Sequence, residues 1–231
     1  MMRGHALRYL GWQVWDRTGP RVLVMWLIAS VICLPLHFAA AQNPQPPAQI
    51  QSMAQQLHFQ LAILAVVVLF HGIVGEDRQK GYYRFYLAKP VSPLHFYGQS
   101  ALLALLAMLT FTTGFLVMFS LAVAPAWEWR LLVSSLSLGL LIGGMIFFIS
   151  TLSMLDWMWM TAVVIAASYL RNRFPRDDST LGRVLHAVLP PNHLVDERVL
   201  TVEQWAWIGG WGLGLFALGL LVLRFRPLGE D

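Results

Sequence analysis

The chain has 231 residues, 57% of them apolar and only 12% charged, with a formal net charge of +4. Soluble domains carry about 25% charged residues, so this composition excludes an ordinary globular protein. The apolar residues also fall in long blocks, which makes an all-α polytopic membrane protein the expectation, since a segment in lipid must satisfy its own backbone hydrogen bonds.

The modest positive balance is what cytoplasmic loops retain under the positive-inside rule, and no basic run with interleaved aromatics points to nucleic acid. The single cysteine, Cys33, excludes an internal disulfide and makes a metal site improbable.

Residues 1–21 carry Arg3, Arg8, Trp12, Trp15, Arg17 and Arg21 and read as an interfacial helix. A first span follows at 22–41. Ala39-Ala40-Ala41 before Gln42 has the look of a signal-peptide cleavage site, but the apolar run exceeds a typical signal core and is read as a retained span. Residues 43–56, uncharged and with Pro44, Pro46 and Pro47, read as an outer loop before span two at 57–74. The polar segment 75–100 precedes span three at 101–124, after which Trp127 and Trp129 suit an interfacial turn.

From 131 to 170 the only charge is Asp156. Helix at ~1.5 Å per residue over this length covers roughly 60 Å, twice the hydrocarbon thickness, so a hairpin of two spans is expected at 131–150 and 153–170. Ser153 and Asp156 read as a capping box for the second. A sixth span at 205–223 ends in Arg224 and Arg226. With six spans both termini are cytoplasmic and 171–204 lies outside, despite Arg171, Arg173, Arg176, Arg183 and Arg198. A five-span alternative moves this loop inside, yet must lay 157–170 on a surface with no polar face. Six spans are preferred. Within the loop, Leu181, Val184, Leu185, Val188 and Leu189 form one apolar stripe between Ser179-Thr180 and Pro190-Pro191, an interfacial or re-entrant helix.

Chemistry is sparse. Lys80 and Lys89 are the only lysines, and neither follows a G-x-x-x-x-G-K-[ST] phosphate cradle. The chain is therefore not expected to be an enzyme, and any ATP and Mg would belong to a separate subunit. The seven histidines show no H-E-x-x-H and no pair at ligand spacing, so neither a metal nor a bound cofactor is expected. Small residues recur at Ser135, Gly139 and Gly143 and at Gly210 and Gly214, a spacing that lets helices approach closely, inside the bundle or at a subunit interface. Threonines 110, 112 and 113 weaken the apolarity of span three, but bonding to their own helix accounts for them.

The segment 75–100 holds Arg78, Lys80, Arg84 and Lys89 beside Glu76 and Asp77, with four aromatics at 82–86. Its layout of Glu76, Gly81, Pro90, Val91 and Ser92 resembles the first cytoplasmic loop of type-2 ABC exporter permeases, patterned roughly E-x(3–4)-G-x(8)-P-[VI]-S. The basic N-terminal segment, the 131–170 hairpin and Leu189-Pro190-Pro191 before the last span look similar too. Tyr82-Tyr83-Arg84 departs from the usual Thr-Leu-Glu, Pro93 replaces a usual arginine, and Gly98-Gln99 stands one residue early.

The resemblance implies a permease subunit in a plasma (inner) membrane. It would pair with a second permease copy or paralogue and with cytosolic ATP-binding subunits, exporting an apolar or amphipathic substrate. It also implies a coupling helix between spans two and three. The ATPase contact would then include Glu76, Asp77, Arg78, Gly81, Tyr82, Tyr83, Arg84, Pro90 and Ser92. Two other readings stay open: a non-transporting membrane scaffold subunit that retains the permease fold, and an intramembrane enzyme using His37, His71 or Asp156.

Overall fold

The structure is a computed structural model and describes residues 11–42, 46–80, 92–123, 125, 128–153, 155–175, 179–191 and 201–225. These residues are helical with short connections and contain no strand. Five helices are long and apolar enough to cross a bilayer: Gln13–Gln42, Ala48–Asp77, Leu94–Ala122, Trp129–Leu152 and Val202–Phe225. This is a multi-pass membrane architecture, and large apolar side chains such as Leu23, Val31 and Leu121 stand exposed as lipid contact requires.

Helix α1 spans Gly19–Gln42 and continues without a break from a π-helical stretch, Gln13–Thr18. There the Gly19 N–H donates to the Val14 carbonyl, and an added Cβ at Gly19 would stand 2.9 Å from that oxygen, which favours glycine at the join. The separate interfacial helix expected at 1–21 is therefore not seen in its described part; residues 1–10 lie outside the described residues.

Helix α2 spans Pro47–Phe70, so most of the outer loop expected at 43–56 is helix instead. Pro47 takes the first helical position, where its fixed φ suits the turn and its missing N–H costs nothing. The Pro46 carbonyl accepts from the Gln49 and Ile50 N–H groups at 2.9 and 3.2 Å. The glutamines that look loop-like in sequence have a partner: Gln51 and Gln55 both donate to the Glu128 carboxylate, Gln55 at 3.3 Å.

The short helix α3, Gly75–Lys80, follows a turn. Helix α4, Pro93–Ala122, begins eight residues before the expected 101 because Ser92 caps it and Pro93 opens it. Residues 131–170 fall on two helices, α5, Trp129–Leu152, and α6, Asp156–Arg173, of which α5 alone is long and apolar enough to cross a bilayer. Three charges in its 18 residues, Asp156, Arg171 and Arg173, keep α6 from the long apolar class. The amphipathic stripe forms α7, Thr180–Val188, with the Ser179 hydroxyl capping the Gly182 N–H at 2.9 Å. Helix α8 spans Val202–Phe225.

Two compact units are distinguished by their internal packing. The first takes Met1–Leu69 and Leu102–Leu136. In it Arg21 donates to the Val68 and Leu69 carbonyls at 3.4 and 3.3 Å, so the start of α1 meets the end of α2. Trp26 stands edge-on to Phe111 at 5.4 Å and fills the space that a side chain at Gly114 would need. His37 bonds the Ala122 carbonyl further along, so α1 and α4 run parallel.

The second unit takes Phe70–Ala101 and Ser137–Asp231. Phe70 and Phe147 are fully buried in its core, and the half-buried Phe216 is centred 5.9 Å from Phe70 and 5.4 Å from Phe147. A Cβ at Gly144 would lie 2.6 Å from the Gly212 carbonyl oxygen, and one at Gly212 would strike the Leu140 carbonyl. Gly219 sits similarly against Phe147. Residues 140–147 therefore run beside 212–219 in the same direction, and α5 and α8 are parallel.

Candidate functional site

The polar segment after α2 starts from a turn that the sequence reading placed inside a span. Helix α2 ends at Phe70 because Gly72 adopts φ 68°, a left-handed conformation that costs a side-chain-bearing residue about 1–2 kcal/mol. The Gly72 carbonyl then accepts from the Glu76 N–H at 3.1 Å, which leads the chain into α3. Glu76 folds back over the glycine so closely that a Cβ there would lie 2.6 Å from Glu76 Cγ. Ile73, Val74 and Asp77 are all buried.

Asp156, at the start of α6, holds this turn. It is fully buried. Its Oδ2 accepts from the Gly72 N–H at 2.8 Å, and its Oδ1 lies 2.5 Å from His71 Nδ1. Oδ1 also accepts from the Trp157 N–H at 2.7 Å. A carboxylate oxygen only accepts, so the ionised form of Asp156 requires the proton on His71 Nδ1. Burying a carboxylate is expensive unless its lone pairs are satisfied, and here both oxygens have donors. The capping box expected from Ser153 and Asp156 does not form, since Leu155 holds the N-cap position and the carboxylate is committed to residues 71 and 72.

At the far end of the segment, the Ser92 hydroxyl accepts from the His95 N–H at 3.2 Å and its carbonyl from the Phe96 N–H at 3.1 Å. Ser92, expected at a partner contact, is thus the N-cap of α4, followed by buried Phe96 and Tyr97 in edge-to-face contact. Glu76, Asp77 and Arg78 lie on α3. Asp77 is only 3% exposed, so its side chain is turned inward and offers no open contact surface. Gly81, Tyr82, Tyr83, Arg84 and Pro90 lie outside the described residues.

The expected helix-packing residues divide. Ser135, Gly139 and Gly143 are buried. Ser135 donates to the Leu131 carbonyl at 3.0 Å, which leaves its oxygen to accept from His58 Nε2 at 3.1 Å. Gly143 gives room to the Phe70 ring. At Gly210 and Gly214, in contrast, an added Cβ would meet no described residue within 4 Å. The close helix contacts fall to Gly144, Gly212 and Gly219, because α8 presents Ile208, Gly212, Gly219 and Leu223 inward and turns 210 and 214 outward.

Sequence reasoning missed the connection between His71, Gly72 and Asp156. It weighed His71 and Asp156 singly, and 85 residues separate them. One signal was available: a glycine directly after an apolar helical run marks a helix stop.

Among the described residues no three His, Cys, Asp or Glu side chains group to hold a metal ion. A cavity of about 240 Å³ in the first unit is lined by Leu36, Ala39, Ala40, Gln49, Ile50, Met53 and Val123, and offers apolar contact with one amide. Comparison with protein-family models, curated proteins and solved structures returns no match.

Proposed function

We propose that the chain is the membrane-spanning permease subunit of an ABC exporter. It would move an apolar or amphipathic substrate with energy from ATP hydrolysed on a separate cytosolic subunit. The observation that carries this reading is the anchored turn at 70–76. A loop that receives force from a partner must join its helices through a stiff connection, and this one leaves α2 through a glycine turn held by a buried carboxylate. It re-enters the membrane helices at α4 through a capped start. The resemblance of Glu76, Gly81, Pro90, Val91 and Ser92 to the exporter loop pattern points the same way.

Six crossings fit the helix directions. The parallel course of α5 and α8 supports a return crossing between Leu152 and Val202, which α6 would make. Its 18 residues span about 27 Å, close to a hydrocarbon core of ~30 Å. Asp156 and Arg171 do not oppose this. Both are buried near the helix ends, Asp156 on the turn and Arg171 on the carbonyls of Leu189 (2.7 Å) and Pro190. On this reading both termini are cytoplasmic, and the segment 75–92 faces the ATPase.

Affinity purification of the full chain from its native membrane in mild detergent tests the proposal. An ATP-binding protein is expected to co-purify in about equimolar amount, with its ATPase activity responding to Tyr83→Ala or Glu76→Ala. Recovery of a stable complex containing no ATP-binding protein would instead support the scaffold role.

A further inference from the structure

We propose that Asp156 is a positioning residue that ties the entrance of the polar loop to α6, making α6 a third helix to move with the loop beside α2 and α4. The functional half of this inference rests on the permease reading; the mechanical half does not.

By chain connectivity alone, a displacement of the loop reaches only the helices it joins, α2 and α4. Asp156 adds a route that bypasses connectivity. Its carboxylate grips the backbone N–H of Gly72 and the ring of His71, the first two residues beyond α2, while its own backbone opens α6. The grip is directional, because two oxygens on one planar group meet donors from consecutive residues. Its bond to the Gly72 N–H is also shielded from water, since Asp156 has no exposed surface. A hydrogen bond inside the protein is stronger electrostatically than one in water, and exclusion of water preserves that strength.

Glycine at 72 is part of the same device. The left-handed turn presents its N–H to Asp156, and the absence of a Cβ lets Glu76 close over it. Glu76 is also the acid of the exporter-like pattern, so the residue that opens the loop and the residue that anchors it share one turn.

Helix α6 is suited to be moved. Asp156, Met160, Ala167 and Arg171 are its buried residues and fall along one face, while Trp157, Trp159, Ile165 and Tyr169 are exposed. A helix held along one narrow stripe can shift with a force applied at its end at the expense of few contacts.

Hydrogen–deuterium exchange on the purified full-length chain in lipid nanodiscs tests the tie directly, comparing wild type with Asp156→Ala, Asp156→Asn and His71→Ala. Asparagine keeps an oxygen for the Gly72 N–H, so D156N is expected to retain protection of peptides covering 71–77. D156A is expected to raise their exchange about tenfold or more while the interior of α2 stays protected. H71A, which spares the Gly72 bond, is expected to fall between them. Unchanged exchange at 71–77 in D156A, or loss of protection in D156N equal to that in D156A, overturns the tie.

A second readout separates this from the permease reading. In the complex with its co-purified ATP-binding partner, D156A is expected to keep partner binding and basal ATP hydrolysis. Substrate-stimulated hydrolysis should fall at least fivefold and recover in D156N. Full stimulation in D156A overturns α6 as a route for movement. Absence of any ATP-binding partner overturns the permease reading and leaves the exchange result standing on its own.

Discussion

At the scale of single residues, two positions set the geometry of the polar segment. Gly72→Ala must force a Cβ into Glu76 at φ 68°. It is expected to destabilise the chain by about 2 kcal/mol, read as a lowered unfolding midpoint in detergent. Ser92→Ala removes the hydroxyl that caps α4 and is expected to cost about 1 kcal/mol, with Ser92→Asp restoring it. Neither role is visible from the residue alone. Ser92 reads in sequence as part of a partner contact, because it completes the Pro-Val-Ser pattern, and only the helix start at Pro93 gives it a local purpose.

At the scale of elements, α5 and α8 approach backbone to backbone at Gly144 and Gly212. Gly144→Val or Gly212→Val sets a side chain against opposing backbone, which cannot move aside as a flexible side chain would. Each is expected to cost about 2–3 kcal/mol or to block accumulation of folded protein. Gly210→Ala and Gly214→Ala, facing open space, are expected to change stability by less than about 0.5 kcal/mol in the isolated chain. The contrast checks the register of α8 in one experiment, with thermal unfolding in detergent as the readout.

The small-residue spacing in α8 was legible in the sequence, since glycines repeat there every few positions. Which glycines face the partner helix was not, because 210, 212 and 214 satisfy the same compositional rule on different faces of one helix. Helix existence was the easier inference. Each of the six expected segments overlaps a helix, five of them long and apolar enough to cross a bilayer, yet boundaries moved where Pro47 and Pro93 open helices earlier than hydropathy indicates. Hydropathy marks what prefers lipid, whereas a helix extends until its backbone is capped or broken.

At the scale of the whole molecule, the direction of α8 relative to α5 makes the topology testable. Single cysteines at 153 and 201 in a Cys33→Ala background are expected to react with a membrane-impermeant maleimide from opposite faces of sealed vesicles. Reaction of both from one face would restore the five-span arrangement. The energetic reason for the expected result is local: Asp156 and Arg171, which weaken the hydropathy of α6, are each given buried hydrogen-bond partners near its ends.

Composition alone determined that this chain is a multi-pass helical membrane protein, because long apolar blocks with few charges have no other way to satisfy their backbone. It also laid out the helices approximately, the amphipathic α7 with its Ser179 cap, and the polar segment between the second and third long helices. The tertiary structure alone decided which glycines pack, that α5 and α8 run in the same direction, and that a carboxylate at 156 meets a backbone N–H at 72. Periodicity and propensity act within a few turns of helix, whereas pairing across 84 residues depends on how the helices assemble.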